Sequence, residues 1–234
     1  MKVLVIIPAY NEESSIAQVI NEVQTLRRGY DIVVVNDGST DRTLQRAAHA
    51  GANILSHPIN LGIGAAMQTG FRYAVQHGYD CAVQVDGDGQ HPPAEIPRLL
   101  EALERGSADV VIGSRFLEGR GFQSTFTRRI GIKYFQMLHR LLTGVRITDS
   151  TSGFRALNRK TLELVERYYP DEYPEAESIV LYALNGQRMY EVPVSMRERQ
   201  GGISSIGRLT GVYYMFKVTL AIIFTHLRLR KGHR

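Results

Sequence analysis

The segment Val85-Asp86-Gly87-Asp88-Gly89-Gln90-His91 sets two carboxylates and an amide oxygen at every second position. In extended chain, alternate side chains share a face, so Asp86, Asp88 and Gln90 are expected to converge, with Gly87 and Gly89 leaving room for a ligand. Hard oxygen donors of this kind suit Mg²⁺ or Mn²⁺ shared with a diphosphate; the plainer alternative is an acidic glycine turn. The ligand spacing and final Glu of an EF-hand are missing. Upstream, Asn36-Asp37-Gly38-Ser39-Thr40-Asp41 closes an apolar run with an acid and a glycine. Asp37 is either a turn residue or an acceptor for a nucleobase N–H, whereas Asp41 reads as turn and helix cap. Asn60-Leu61-Gly62-Ile63-Gly64 precedes a helical pattern and looks like a phosphate-cradling glycine loop. It lacks the Lys-Ser/Thr of a P-loop and the third glycine of a dinucleotide fingerprint, so read alone it is a helix start that needs close packing.

Three arginine positions have phosphate chemistry available to them. Arg115 follows a strand pattern, Arg128-Arg129 opens a helix, and Arg199 precedes the Gly201-Gly202 loop. Taken singly, each is also what a solvated surface charge looks like. Asp149-Ser150-Thr151-Ser152-Gly153-Phe154-Arg155 sets an acid and a base around a tight Ser/Gly turn. That is either a structural salt bridge or a catalytic carboxylate at Asp149.

The elements that must position these residues alternate. Strands are expected at Lys2–Ile7, Ile32–Val35, Asn53–Leu55, Cys81–Val85 and Asp109–Ile112. Helical spacing runs through Glu12–Arg27, Arg42–Ala50, Gly64–His77 and Ala94–Arg105. Strands apolar nearly throughout, in βαβα order, predict an α/β chain with a largely parallel central sheet and helices on both faces. Ligands of such sheets bind beyond the carboxyl ends of the strands, which is where the motifs fall. Beyond Ser114 the rhythm changes: helices are expected over Arg128–Leu142, Thr161–Tyr168 and Glu175–Leu184, with strands over Ser150–Leu157 and Arg188–Val194.

At 234 residues, 44% hydrophobic and 22% charged, the chain has ordinary globular composition and enough length for one large core. Its lone cysteine, Cys81, excludes an internal disulfide framework and Cys-rich metal sites. The apolar run before Pro8 is five residues, too short for a signal peptide. The net charge is +5, yet the residues after Glu198 hold seven Lys+Arg and no acid. That basic tail points to a phosphate-rich surface. It lacks any nucleic-acid recognition motif, so no nucleic-acid partner is expected.

Together these motifs resemble the family 2 glycosyltransferases, with their GT-A fold, and within them the polyprenyl-phosphate hexosyltransferases related to dolichol-phosphate mannose synthase. The residues that carry the resemblance are Pro8-Ala9-Tyr10-Asn11-Glu12, Asn36 to Ser39, Asn60 to Gly64, Asp86 to Gln90, Gly113-Ser114-Arg115, Asp149 to Arg155, and Glu191-Val192-Pro193-Val194 running into Arg199. The resemblance implies that Pro8, Ala9, Tyr10, Glu12, Asp37, Gly64 and Asp86 line a nucleotide pocket. Asp86, Asp88 and Gln90 would hold Mg²⁺ or Mn²⁺ on the diphosphate, and Arg115, Arg129 and Arg199 would face phosphate. Asp88 and Arg115 would be central to catalysis, with Asp149 as a base if the acceptor were a sugar hydroxyl. Three positions depart from the pattern: Asn36 stands where many relatives have Asp, Ile63 where many have Lys, and Gly202-Ile203-Ser204-Ser205 lacks the Lys common in the lipid-phosphate branch.

The implied activity is inverting transfer of a hexose from a UDP- or GDP-linked sugar to a membrane polyprenyl phosphate, in cell-envelope or surface polysaccharide synthesis. The alternatives are transfer to a sugar of a growing polysaccharide, or a non-catalytic sugar-nucleotide-binding scaffold. A sugar-nucleotide pyrophosphorylase is set aside, because its N-terminal Gly-rich loop with Arg and Lys is replaced here by Pro8 to Glu12. Residues 1–206 would form the transferase domain and 207–234 a basic amphipathic appendage. Leu209–Leu227 would span about 28 Å as a helix, but Lys217 falls near its centre, where charge is costly in lipid. The expectation is peripheral attachment at the cytoplasmic face of the membrane, or docking on a small membrane protein. The alternative is a final helix packed on the domain through Val212, Phe216, Leu220 and Ile223.

Overall fold

A computed structural model describes residues 1–106, 108–118, 126–197 and 210–232. Strands β1 (Val3–Ala9), β2 (Asp31–Asp37), β3 (Asn53–His57), β4 (Cys81–Gln84), β5 (Val110–Ser114), β6 (Arg155–Asn158) and β7 (Met189–Pro193) form one sheet in the order β3-β2-β1-β4-β6-β5-β7. Pairing is parallel except at β6, which runs antiparallel to both β4 and β5. The sheet is thus largely parallel as expected, with one inserted strand whose direction periodicity alone does not fix.

Helices α1 (Ile16–Thr25), α2 (Thr43–His49) and α4 (Ile96–Glu104) cover one face, and α3 (Ile63–Gln76), α6 (Arg159–Arg167) and part of α7 (Pro174–Leu184) the other. β1 shows why both faces are dry. Val3, Val5 and Ile7 enter the first core, while Leu4 and Ile6 enter the second. A third cluster joins α5 (Phe126–Thr143), α7 and α8 (Thr210–Gly232) through Phe135, Leu138, Ala176, Val180, Val218 and Ile222. Cys81 is fully buried in the first core, and burial pushes its thiol up to about 12.

Three local expectations shift. α1 begins at Ile16 rather than Glu12, because Asn11 has φ 54° and the Glu12 carbonyl closes a turn onto Ser15 and Ile16. Asp41 still steadies the start of α2, its carboxylate accepting the Thr43 N–H at 2.9 Å. The strand expected from Ser150 starts only at Arg155, since residues 149–153 form the tight turn their Ser/Thr/Gly content favours. In α8 the helical spacing is right but the buried stripe is Val218, Ile222 and Thr225, with Phe216 left outside. The side chain of Val212 lies outside the described residues.

Candidate active site

The carboxyl ends of β1, β2 and β4 lie side by side, and the candidate residues follow directly from them. Pro8 and Ala9 close β1 and are buried; Tyr10, one residue on, is largely exposed. Gly87 sits against β1: a Cβ there would lie 3.1 Å from the Pro8 carbonyl oxygen and 3.6 Å from Glu12 Cγ. The acidic loop and the Pro8–Glu12 segment therefore share one wall. Glu12 is buried, with Oε2 accepting from Ser15 Oγ at 3.3 Å.

Asp37, at the end of β2, is nearly buried and organises the glycine loop. Its Oδ1 accepts the Leu61 N–H at 2.9 Å and its Oδ2 the Gly62 N–H at 2.9 Å. Gly38 has φ +68°, and a Cβ on it would lie 2.4 Å from the Ile59 carbonyl carbon, so the loop rests directly on the strand end. Gly64 is explained by packing. Its Cβ would meet the Pro170 carbonyl oxygen at 2.2 Å, and its N–H is already donated to the Asp171 carbonyl at 3.2 Å.

The acidic loop differs from the extended geometry expected of it. β4 ends at Gln84, residues 87–88 turn, and Gly89 has φ +78°. Side-chain alternation therefore does not describe how Asp86, Asp88 and Gln90 are placed. Asp88 is instead buried, with Oδ1 accepting the Gln90 N–H at 3.0 Å. Asp86 is about a third exposed, and Gln84 Nε2 donates to its Oδ1 at 3.2 Å. Gly153 makes room for this pair, since a Cβ there would lie 2.7 Å from Gln84 Nε2 and 3.4–3.5 Å from the Asp86 oxygens. Among the described residues no three or more His, Cys, Asp or Glu side chains form a metal cage. Two carboxylates in one loop instead fit an ion that completes its shell with phosphate oxygens and water, as Mg²⁺ prefers.

Arg115 and Asp149 are brought together across 34 positions. Arg115 Nε and Nη2 donate to the two oxygens of Asp149 at 2.7 Å each, and its backbone N–H adds a third bond at 3.1 Å. Asp149 is wholly buried and the Arg115 side chain 8% exposed. Thr151 Oγ1 accepts from the same guanidinium at 3.0 Å. The acid and base of the 149–155 turn are thus not partners of each other. Arg155 is buried and donates to the carbonyls of Ser152 and Glu175 at 2.8 and 2.7 Å, holding α7 against the turn. Arg129 falls in the first turn of α5, with its side chain outside the described residues, as is the whole of Arg199.

Sequence reasoning gave no role to several residues that set this geometry, although Glu191 and His91 stand in the motifs it named. Glu191 on β7 accepts the N–H groups of Thr148 and Asp149 at 2.7 and 2.8 Å, fixing the segment that carries Asp149. His91 Nδ1 accepts the Asp86 N–H at 3.1 Å, with the ring stacked on Phe154. His57 Nδ1 lies 2.7 Å from Asp37 Oδ1. His57 ends β3 and His91 follows the acidic loop, so position in the βα rhythm was the signal available for those two, whereas Glu191 lies within β7. Glu175, at the start of α7, is also drawn in: burial raises its pKa, and the nearby Asp86 charge raises it further.

Comparison with known proteins adds the following. Residues 4–165 match the family model described as Glycosyl transferase family 2. The chain is 33% identical to the undecaprenyl-phosphate mannosyltransferase of Micrococcus luteus, over 99% of this chain and 100% of that one. It is 34% identical to the polyprenol monophosphomannose synthase of Mycolicibacterium smegmatis, over 93% and 85% of the two chains. In fold it is similar to glucosyl-3-phosphoglycerate synthase of Mycobacterium tuberculosis, solved in complex with Mn²⁺, uridine-diphosphate-glucose and phosphoglyceric acid. The TM-score is 0.72 at 21% identity, over 97% of this chain and 79% of that one.

Proposed function

The chain belongs to glycosyl transferase family 2, and from that premise we infer that it moves a hexose from a nucleotide sugar to a polyprenyl phosphate at a membrane surface. The observation that carries the reading is the placement of Asp37, Asp86 and Arg115 at the carboxyl ends of β2, β4 and β5, along one edge of the sheet, in a chain alignable end to end with a lipid-phosphate mannosyltransferase. An oxygen of the acceptor phosphate attacks the anomeric carbon as the bond from that carbon to the diphosphate breaks, inverting the centre. A phosphate monoester has its second pKa near 6 and is mostly dianionic at neutral pH, so it needs no proton removed. The chain must instead orient two anions against each other.

Arg115 answers that need, together with Arg129 and Arg199. Asp149 serves as its holder rather than as a base, because both its oxygens are occupied by the guanidinium and no face meets solvent. Asp86 and Asp88, with Gln90 beside them, are the residues that would hold Mg²⁺ or Mn²⁺. When bound, such an ion offsets charge developing on the departing diphosphate. Pro8, Ala9, Tyr10, Glu12 and Asp37 form the wall for the nucleoside, and Gly64 lets the adjoining loop close.

Attachment to the membrane falls to the outer faces of α5 and α8, where Met137, Leu141, Phe216, Phe224 and Leu227 are exposed beside Arg228 and Arg230. No helix among the described residues is long and apolar enough to cross a bilayer. An amphipathic surface with basic residues suits an anionic headgroup layer such as the cytoplasmic leaflet. The reading is tested with a panel of UDP- and GDP-sugars, Mn²⁺ and a short-chain polyprenyl phosphate, scored by product mass. Metal-dependent glycosylation of the lipid phosphate is the expected result. Transfer to a free sugar with none to the lipid phosphate would overturn it.

A further inference from the structure

We propose that His57 is a positioning residue for the nucleobase end of the donor site, acting through Asp37; the proposal rests on the nucleotide-sugar reading above. His57 is the last residue of β3. Its ring bridges two elements, with Nδ1 2.7 Å from Asp37 Oδ1 on β2 and Nε2 2.9 Å from Thr69 Oγ1 on α3. The side chains of His57 and Asp37 are 11% and 5% exposed. Asp37 already takes backbone N–H groups from Leu61 and Gly62, so it acts as an acceptor and the ring proton facing it sits on Nδ1. The Thr69 hydroxyl meets the opposite nitrogen, and a flipped ring would forfeit both bonds.

The consequence is a counted carboxylate. An ionised carboxylate offers about four acceptor positions. His57 and Leu61 occupy two on Oδ1 and Gly62 one on Oδ2, which leaves one open on Oδ2. A single open acceptor that cannot donate matches a base with a ring N–H on its pairing edge, as uracil has at N3 and guanine at N1. Cytosine and adenine carry a lone pair at the corresponding place, which a carboxylate repels. Ile59 and Leu61, held beside Asp37 with their side chains exposed, supply apolar surface for the base plane. Without His57, Asp37 keeps only its backbone donors. Its carboxylate then loses one of three bonds that fix its plane and gains a second open acceptor position, on Oδ1, so the reading of the base blurs while the diphosphate end is untouched.

The test is calorimetric titration of the full chain with UDP, GDP, CDP and pyrophosphate, each with Mn²⁺ present. Wild type should bind UDP or GDP well ahead of CDP. His57→Leu should weaken binding of that preferred nucleotide about ten- to hundredfold, the worth of one charge-assisted bond, and leave pyrophosphate within about twofold. His57→Asn, which keeps an N–H toward Asp37, should recover most of the loss. Thr69→Val, a smaller change, should give an intermediate loss and serves if His57→Leu does not fold. Unchanged nucleotide affinity in His57→Leu and Thr69→Val, or equal loss toward pyrophosphate, would overturn the role given to His57. Wild type that binds pyrophosphate but no nucleoside diphosphate would instead overturn the donor reading, and the proposal with it.

Discussion

Asp149→Asn separates a carboxylate that holds Arg115 from one that takes a proton. The substitution keeps shape and one carbonyl acceptor, but sets an amide N–H₂ against the guanidinium where a 2.7 Å ionic bond stood. Both partners are buried, and breaking one side of a buried pair costs about 3–5 kcal/mol because the remaining charge stays uncompensated. A chain of this size has a total stability of about 5–15 kcal/mol, so the change is large but survivable. With a urea slope of about 3 kcal/mol per molar, the midpoint should fall by about 1 M or somewhat more. Turnover with a polyprenyl phosphate should fall about ten- to hundredfold, since one charge-assisted phosphate contact of about 1.5–3 kcal/mol is loosened. Arg115→Met should behave alike, and the double variant should be little worse than the more damaged single one, because one unit is being removed twice. The measurements are urea midpoints, turnover and the pH–rate profile, whose shape should survive in Asp149→Asn. A variant with the wild-type midpoint and no acidic limb in its profile would refute the reasoning and restore Asp149 as a general base.

Gly64→Ala should destabilise by about 1–3 kcal/mol or more, because its Cβ lands 2.2 Å from a main-chain oxygen that can retreat only by moving the 170–171 segment; a lowered midpoint in thermal unfolding checks it. Glu177→Gln should raise stability at neutral pH. Burial lifts the Glu177 carboxyl above its ordinary 4.5, with Glu172 and Asp171 adding to the lift and a bond from Thr225 opposing it. The folded state then holds that proton more tightly, so wild-type stability falls as pH rises from 4.5 through the raised value, a loss the glutamine escapes. The two unfolding curves should converge as pH drops toward 4.5, and a constant gap would count against the argument. Leu141→Glu with Phe224→Glu should reduce cosedimentation with anionic liposomes without lowering the melting temperature, since both side chains are exposed. Truncating before α8 is the poorer test, because it would uncover Phe135 and Val180.

Much of this protein was legible in the chain as written. The unbroken apolar run Val3–Ile7 requires a strand wetted on neither face, and the glycines and acids that follow the strands announce sites at their carboxyl ends. Those signals are local: side-chain period, turn chemistry and caps act over a few residues, and the motif set that pointed to the family is built from them. The direction of β6 was not legible, because a four-residue strand reads the same both ways. The phase of α8 was not legible either. Spacing specifies that one face is apolar, while the surfaces of α5 and α7 decide that the stripe through Val218 and Ile222 is the buried one. The acidic loop followed its glycines into a turn that an alternation rule ignores. Asp149 shows the limit best. Its neighbour in sequence, Arg155, was the natural partner, yet packing delivered Arg115 from 34 positions away and gave Arg155 to main-chain carbonyls. Which charges meet in a dry interior depends on which strands pair and how the helices close over them, and that is decided only when the whole core forms.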